Sequence, residues 1–186
     1  MSEDLQELDI VFEEARLVGI EYDRLRRSVM VDLRLLRLPL AEDEPHDLLV
    51  HLRLWPVGRV LATLTDIDGT PIELTLNNLT SEVTRFGGLA LYGQEFFDVP
   101  PPDKALSAPQ FDVTLRDSPS VHSIYLFQQD ARRSLDVWIW FDHLEFRTLD
   151  GKSLQPPWLV AEAKRWWEAL SAGDPRTAKA GIFPIK

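Results

Sequence analysis

The chain has 186 residues, 45% of them hydrophobic and 27% charged. That is the length and balance of one folded domain, which can bury a core without metal or disulfide staples. It has no cysteine, which excludes disulfides, thiol nucleophiles and thiolate metal sites. The formal net charge of −10 argues against a nucleic-acid partner, because phosphate contacts need clustered Lys and Arg.

The first residues, Met1 to Glu14, carry six acids and no base, which is not the pattern of a signal or transit peptide. No apolar run approaches the roughly 20 residues needed to span a bilayer. Together with the missing cysteines, these absences predict a cytoplasmic protein with no membrane partner. From Ala15 the dominant period is two. Ala15–Tyr22 reads as a strand and Val29–Leu35 alternates strictly, with Asp32 and Arg34 on the face opposite the apolar residues. A polar link over 23–28 makes 15–38 a predicted hairpin. Leu48, Val50, Leu52 and Leu54 repeat the alternation around His51 and Arg53.

Val57–Thr65 and Pro71–Leu79 are predicted as two strands joined at Asp66-Ile67-Asp68-Gly69-Thr70, because Asp-Gly supplies the positive φ of a tight hairpin turn. Gly87-Gly88 and Tyr92-Gly93 break the pattern, and Pro100–Pro102 with Pro109 marks an irregular connection inside the same domain. Strands resume at Phe111–Arg116, Val121–Gln128 and Leu135–Phe141, the last continuing to Phe146. The apolar phase shifts after Asp142-His143, as at a bulge or bend. Leu149-Asp150-Gly151-Lys152 is a second Asp-Gly turn.

A helix over about 158–172 is opened by Pro156-Pro157 and closed by Gly173. Leu159, Ala163, Trp166 and Leu170 share one of its faces. The pattern predicts a mainly β domain: an antiparallel β-sandwich with one C-terminal α-helix, or alternatively a β-barrel.

Each candidate for chemistry has an ordinary counterpart. Asp66-x-Asp68-Gly69 opens like a calcium loop, but the twelfth position is Asn77 rather than an acid, so a hairpin turn is expected. The four histidines, His46, His51, His122 and His143, lack zinc-site spacing. Ser120 near His122 does not define a nucleophile and base, and no nucleophile elbow, P-loop or dinucleotide fingerprint occurs. Glu95 and Asp98 flank Phe96-Phe97 as an acid pair of the kind chance supplies among 30 acids. Arg16, Arg24, Arg26, Arg27, Arg34 and Arg37 cluster on the hairpin and read as solubilising charge. No cofactor is called for.

The aromatic surplus is the more telling feature. Trp138 and Trp140 lie opposite the apolar face of their strand. Either the C-terminal helix covers them through Trp166 or Trp167, or they form an exposed patch for a protein partner or second subunit. The tail 181–186 is apolar, and Phe183 joins Trp138 and Trp140 as a predicted binding residue, packing back or docking on a neighbouring chain.

Phe12-Glu13-Glu14-Ala15-Arg16-Leu17, the strand–turn–strand that follows, and the later block of Leu74, Leu76, Leu79-Thr80 and Arg85-Phe86-Gly87 are similar to a loose group of uncharacterised bacterial β-sandwich proteins. Those open on a Phe-His-Asp-Ala phrase; here Glu13-Glu14 replace its His-Asp. The resemblance covers about the first 100 residues. It implies a binding module, of an immunity-like or accessory kind, and no catalytic residues.

The expected function is therefore non-enzymatic protein binding, with the acidity favouring a basic partner protein. The alternatives are a small-molecule-binding or hydrolytic enzyme with a carboxylate-lined cleft, and a self-associating structural subunit such as a homodimer.

Overall fold

The computed structural model describes residues 5, 7–41, 44–97, 111–115 and 120–180. Among them the expected hairpin forms as β1 (Arg16–Asp23) and β2 (Ser28–Leu36). Its turn is set locally: Asp23 Oδ1 accepts the backbone N–H groups of Leu25 and Arg26 at 2.9 and 3.0 Å, an Asx turn. Arg27 closes the turn with a φ of +48°.

The runs around Leu48–Leu54 and Val57–Thr65 are not two strands but one, β3 (Asp47–Asp66), of 20 residues. Pro56, which has no N–H to donate, is tolerated inside it for a positional reason. β2 pairs with β3 only as far as Leu54, and β5 (Phe111–Thr114) takes up the same edge at Arg59. β7 (Arg133–Thr148) runs antiparallel to β3 along nearly its whole length.

β4 (Gly93–Phe97) and β6 (His122–Gln129) extend the far side, and β8 (Ser153–Leu154) pairs with the end of β7. The order is β1-β2-β3-β7-β6-β4, all antiparallel, with β5 on β3 and β8 on β7. The protein is thus mainly antiparallel β with a C-terminal helix, as expected. The sheet does not close, so the barrel alternative is not what forms.

Its two edge strands are nonetheless drawn together. Leu91 N–H donates to Ala15 O at 2.7 Å and Tyr92 N–H to Phe127 O at 3.0 Å. The buried Gln128 amide donates to Leu17 O and Leu89 O at 3.2 and 2.9 Å. The inner face carries the alternating apolar residues, including Val31, Leu33, Leu52, Leu54, Val60, Ile124, Val137 and Ile139. From the short helix α1 (Asp9–Phe12), Phe12 enters this core edge-on to Phe96 at 5.1 Å and Phe146 at 6.2 Å. Each such fully buried side chain contributes about 1.5–3 kcal/mol.

The predicted strand Pro71–Leu79 is corrected. Only Pro71 bridges to β3, opposite Thr65, and the chain then enters α2 (Leu76–Arg85). Thr75 caps that helix: its hydroxyl accepts from Asn78 N–H at 3.3 Å while Thr75 N–H donates to Asn78 Oδ1 at 2.6 Å, a capping box. Leu79, Val83 and Phe86 then bury at helical spacing. The alternation of Ile72, Leu74 and Leu76 ran straight into the first turn and masked it. Both Asp-Gly turns form as expected, with Gly69 at φ +80° and Gly151 at φ +84°.

The expected C-terminal helix is α3 (Pro156–Ser171), and Leu159, Ala163, Trp166 and Leu170 are all buried. A 3-10 turn follows over Pro175–Ala180.

The phase change after Asp142-His143 is real and is matched on β3. Leu54 and Val57 both face the core, as do Leu144 and Phe141 opposite them. The register slips between Val57 and Arg59. These changes divide the outer face of the sheet into two regions of different chemistry.

Candidate functional site

Trp138 and Trp140 do lie on the outer face, but they are only 7% and 5% exposed. They do not form an open aromatic patch, which corrects that expectation. Nor does Trp166 cover them, since it packs in a separate cluster with Leu38, Ala169 and Leu170, with Trp167 against it.

Among the described residues, their neighbours on this face come from the sheet itself. Leu61 and Tyr125 stand directly across the strands from Trp138. Tyr125 stacks on Trp138 at 4.6 Å, and Trp138 lies 6.1 Å from Trp140. The Arg59 guanidinium sits 5.2 Å above Trp140, held there by Nε and Nη2 bonds to Asp112 at 2.9 and 2.7 Å. Such a cation over an indole adds about 0.5–2 kcal/mol. Tyr125 OH donates to Asp136 Oδ1 at 2.6 Å. Burial raises the pKa of both groups, and the shared bond lifts the tyrosine further while partly opposing the rise at Asp136. The third predicted binding residue, Phe183, lies outside the described residues.

The other outer region, over β1, β2, the first half of β3 and the end of β7, is polar and half-exposed. Asp32, His51 and Arg147 stand side by side on three strands. His51 Nδ1–H donates to Asp32 Oδ1 at 2.6 Å. Gly19 faces Asp32 from β1, where a Cβ would come within 3.1 Å of Asp32 Oδ2. Arg34 pairs with Asp47 at 3.2 Å and Arg147 with Glu145 at 2.8 Å. The Arg53 guanidinium rests 4.9 Å over Trp55, whose ring lies 5.8 Å from His143.

The β1–β2 turn rises at the edge of this region, between two clefts. One, of about 720 Å³, is lined by Glu21, Tyr22, Arg24, by Asn77 and Thr80 of α2, and by Thr114 of β5. The other, of about 370 Å³, is lined by Tyr22, Arg26, Ser28, Met30, Arg53 and Arg147, with Glu21 and Asp23. Tyr22 belongs to both, and burial raises its phenol pKa. At the tip Leu25 is 98% exposed, between Arg24, Arg26 and Arg27.

The turn holds this arrangement in place through the Asx bonds of Asp23 and through Arg27 O, which accepts from Val57 N–H at 2.7 Å. Among the described residues Arg24, Arg27 and Arg53 have no carboxylate at ion-pairing distance. Arg34, Arg37, Arg59, Arg133, Arg165 and Arg176 each have one. The arginine cluster read as solubilising charge is thus of two kinds: Arg26, Arg34 and Arg37 are paired, whereas among the described residues Arg16 on β1 and Arg24 and Arg27 at the tip are not. The signal that marks the tip is Arg-Leu-Arg-Arg within a turn, where an apolar residue has no core to enter.

His122 packs against Phe141 at 5.8 Å, and burial lowers its pKa. Glu95 stands across from Tyr125 on β4, while Asp98 lies outside the described residues. No group of three or more His, Asp or Glu side chains among the described residues could hold a metal ion. No helix among them is long and apolar enough to cross a membrane. Compared with protein-family models, curated proteins and solved structures, the chain matches none of them.

Proposed function

We propose that the protein is a non-enzymatic binding module that meets a protein partner through the β1–β2 tip and the clefts on either side of it. The observation that carries this reading is Leu25. A leucine that is 98% exposed loses its whole burial energy in the free protein, about 1.5–3 kcal/mol, and regains it only against a partner. The turn that presents it is pre-formed, so little ordering entropy remains to be lost on binding, and that favours affinity. The flanking clefts give a partner concave surface on both sides of a protruding apolar anchor, the arrangement of an interaction hot spot with a polar rim. An immunity-like or accessory role is one form of this reading.

The test replaces Leu25 with a photo-crosslinking leucine analogue in the full chain. A cross-linked protein from source cells, re-expressed and titrated by calorimetry, is expected to bind wild type and to bind Leu25→Ser about tenfold or more weakly, an ordinary hot-spot loss. Equal affinity for both removes the tip from the interface and overturns the proposal.

A further inference from the structure

We infer that the partner's contact segment is acidic, although the protein as a whole is acidic too; this rests on the binding reading above and names the chemistry of its partner. The net charge of −10 favours a basic partner only if the contact surface shares the average, and the tip does not. Arg24, Arg26 and Arg27 flank Leu25 on the turn, and Arg53 and Arg147 line the adjoining cleft. Most described arginines neutralise a neighbouring carboxylate; Arg24, Arg27 and Arg53 do not, and of the described arginines that lack a pair only Arg16 and Arg132 lie elsewhere. Arg53 is held half-buried over Trp55, a site where a guanidinium still offers its fork of donors to an incoming carboxylate.

The Debye length is about 8 Å at physiological salt, so a segment docked on the tip senses these arginines more than the distant acids. A long polyanion is different. It extends beyond the tip and over the acidic surface of a chain whose net charge is −10. Leu25 adds a demand that a phosphate backbone does not meet, an apolar surface beside the carboxylates. The occupant that fits is a short acidic protein segment carrying at least one large apolar side chain.

The test is selection of a random peptide library on the full-length protein, followed by titration of the winners. The expected winners are net negative with a large apolar residue. Their Kd should weaken at least about tenfold in Arg24→Ala/Arg53→Gln, with a smaller salt slope, and about tenfold in Leu25→Ser with the slope unchanged. Basic or neutral winners overturn the inference, as does equal binding by the tip variants. Preferential binding of an oligothymidylate or of phosphatidylserine vesicles overturns it in favour of a polyanion. A dimer in light scattering that Leu25→Ser abolishes makes a second copy the occupant and overturns it as well. If the protein cross-linked at Leu25 proves basic, this inference falls while the binding reading stands.

Discussion

β3 and β7 pass through both outer regions of the sheet, yet the two regions were built by opposite rules. Around Trp138 the outward positions are aromatic and buried: Leu61, Trp138, Trp140 and the stacked Tyr125 form a small second core on the side that should face water. Around His51 the outward positions alternate in charge, and Asp32, His51, Glu145 and Arg147 stay half-exposed or exposed. Partly exposed residues on the polar side contribute little to stability, since median surface ion pairs are worth about 0–1 kcal/mol, and are therefore free to serve contact. Buried indoles on the aromatic side contribute packing and are not available to a partner. An outward aromatic is thus not by itself a binding surface, and in this protein the turn that closes the polar region is the better one.

The sharpest way to break this comparison is truncation on each side. Trp138→Ala removes a buried indole with stacked neighbours on both flanks and is expected to cost about 3–5 kcal/mol in urea unfolding. Trp55→Ala, on the polar side, is expected to cost about 1 kcal/mol. If Trp138→Ala costs no more than Trp55→Ala, the aromatic region is not a packed core and the contrast fails.

Arg59→Gln tests the rim of the same cluster. It loses the bidentate pair with Asp112 and the cation over Trp140, together about 1 kcal/mol because Asp112 is largely in water. The Arg59 bonds hold the Asp112 carboxyl below its ordinary range, so its pKa followed by NMR should rise in the variant. No rise would mean that Arg59 is not placed by that carboxylate.

Asp136 gives the aromatic region a pH signature. Burial raises its folded pKa above the ordinary 3.8, so the folded state binds its proton more tightly than the unfolded state does. The contribution of this group is most favourable below the unfolded value and is lost as pH rises through the folded value. Asp136→Asn keeps an acceptor for Tyr125 OH and removes the titration. The variant should therefore gain stability relative to wild type as pH rises from 3 to 7, measured as a series of denaturation midpoints. A constant difference across that range would show the carboxylate to be solvated like those of the polar side.

The fold was legible wherever period two met a solvated opposite face, as in β1, β2 and β7, and where turn chemistry was local, as at Asp-Gly. It was not legible at α2, because Leu74 and Leu76 satisfy a strand and a helix equally, and the Thr75–Asn78 cap decides between them only through a bond to the backbone. Nor was it legible that β3 continues through Pro56, since that depends on which neighbouring strand has ended there. Alternation placed Trp138 and Trp140 on the outer face, but whether a face is wet depends on strands far away in sequence, Leu61 and Tyr125 among them. The tip residues were visible as a charge cluster. What was invisible was the pairing that separates Arg34 from Arg24, Arg27 and Arg53, because an ion pair across a sheet, such as Arg34 with Asp47, follows register rather than sequence distance.

The smallest expected effect on stability falls on the residue with the largest expected effect on binding. Leu25 makes no core contact, and its turn is fixed by backbone bonds to Asp23 and by Arg27 O, none of which uses its side chain. Leu25→Ser should therefore shift unfolding by no more than about 0.5 kcal/mol in either direction. A substitution that leaves the fold untouched and abolishes contact separates the two roles more cleanly than any change at Trp138, where lost binding and lost packing would arrive together. If Leu25→Ser instead costs 1 kcal/mol or more, the leucine packs on its own chain in solution. The tip is then part of the fold, and the polar region has lost the feature that distinguished it from the aromatic one.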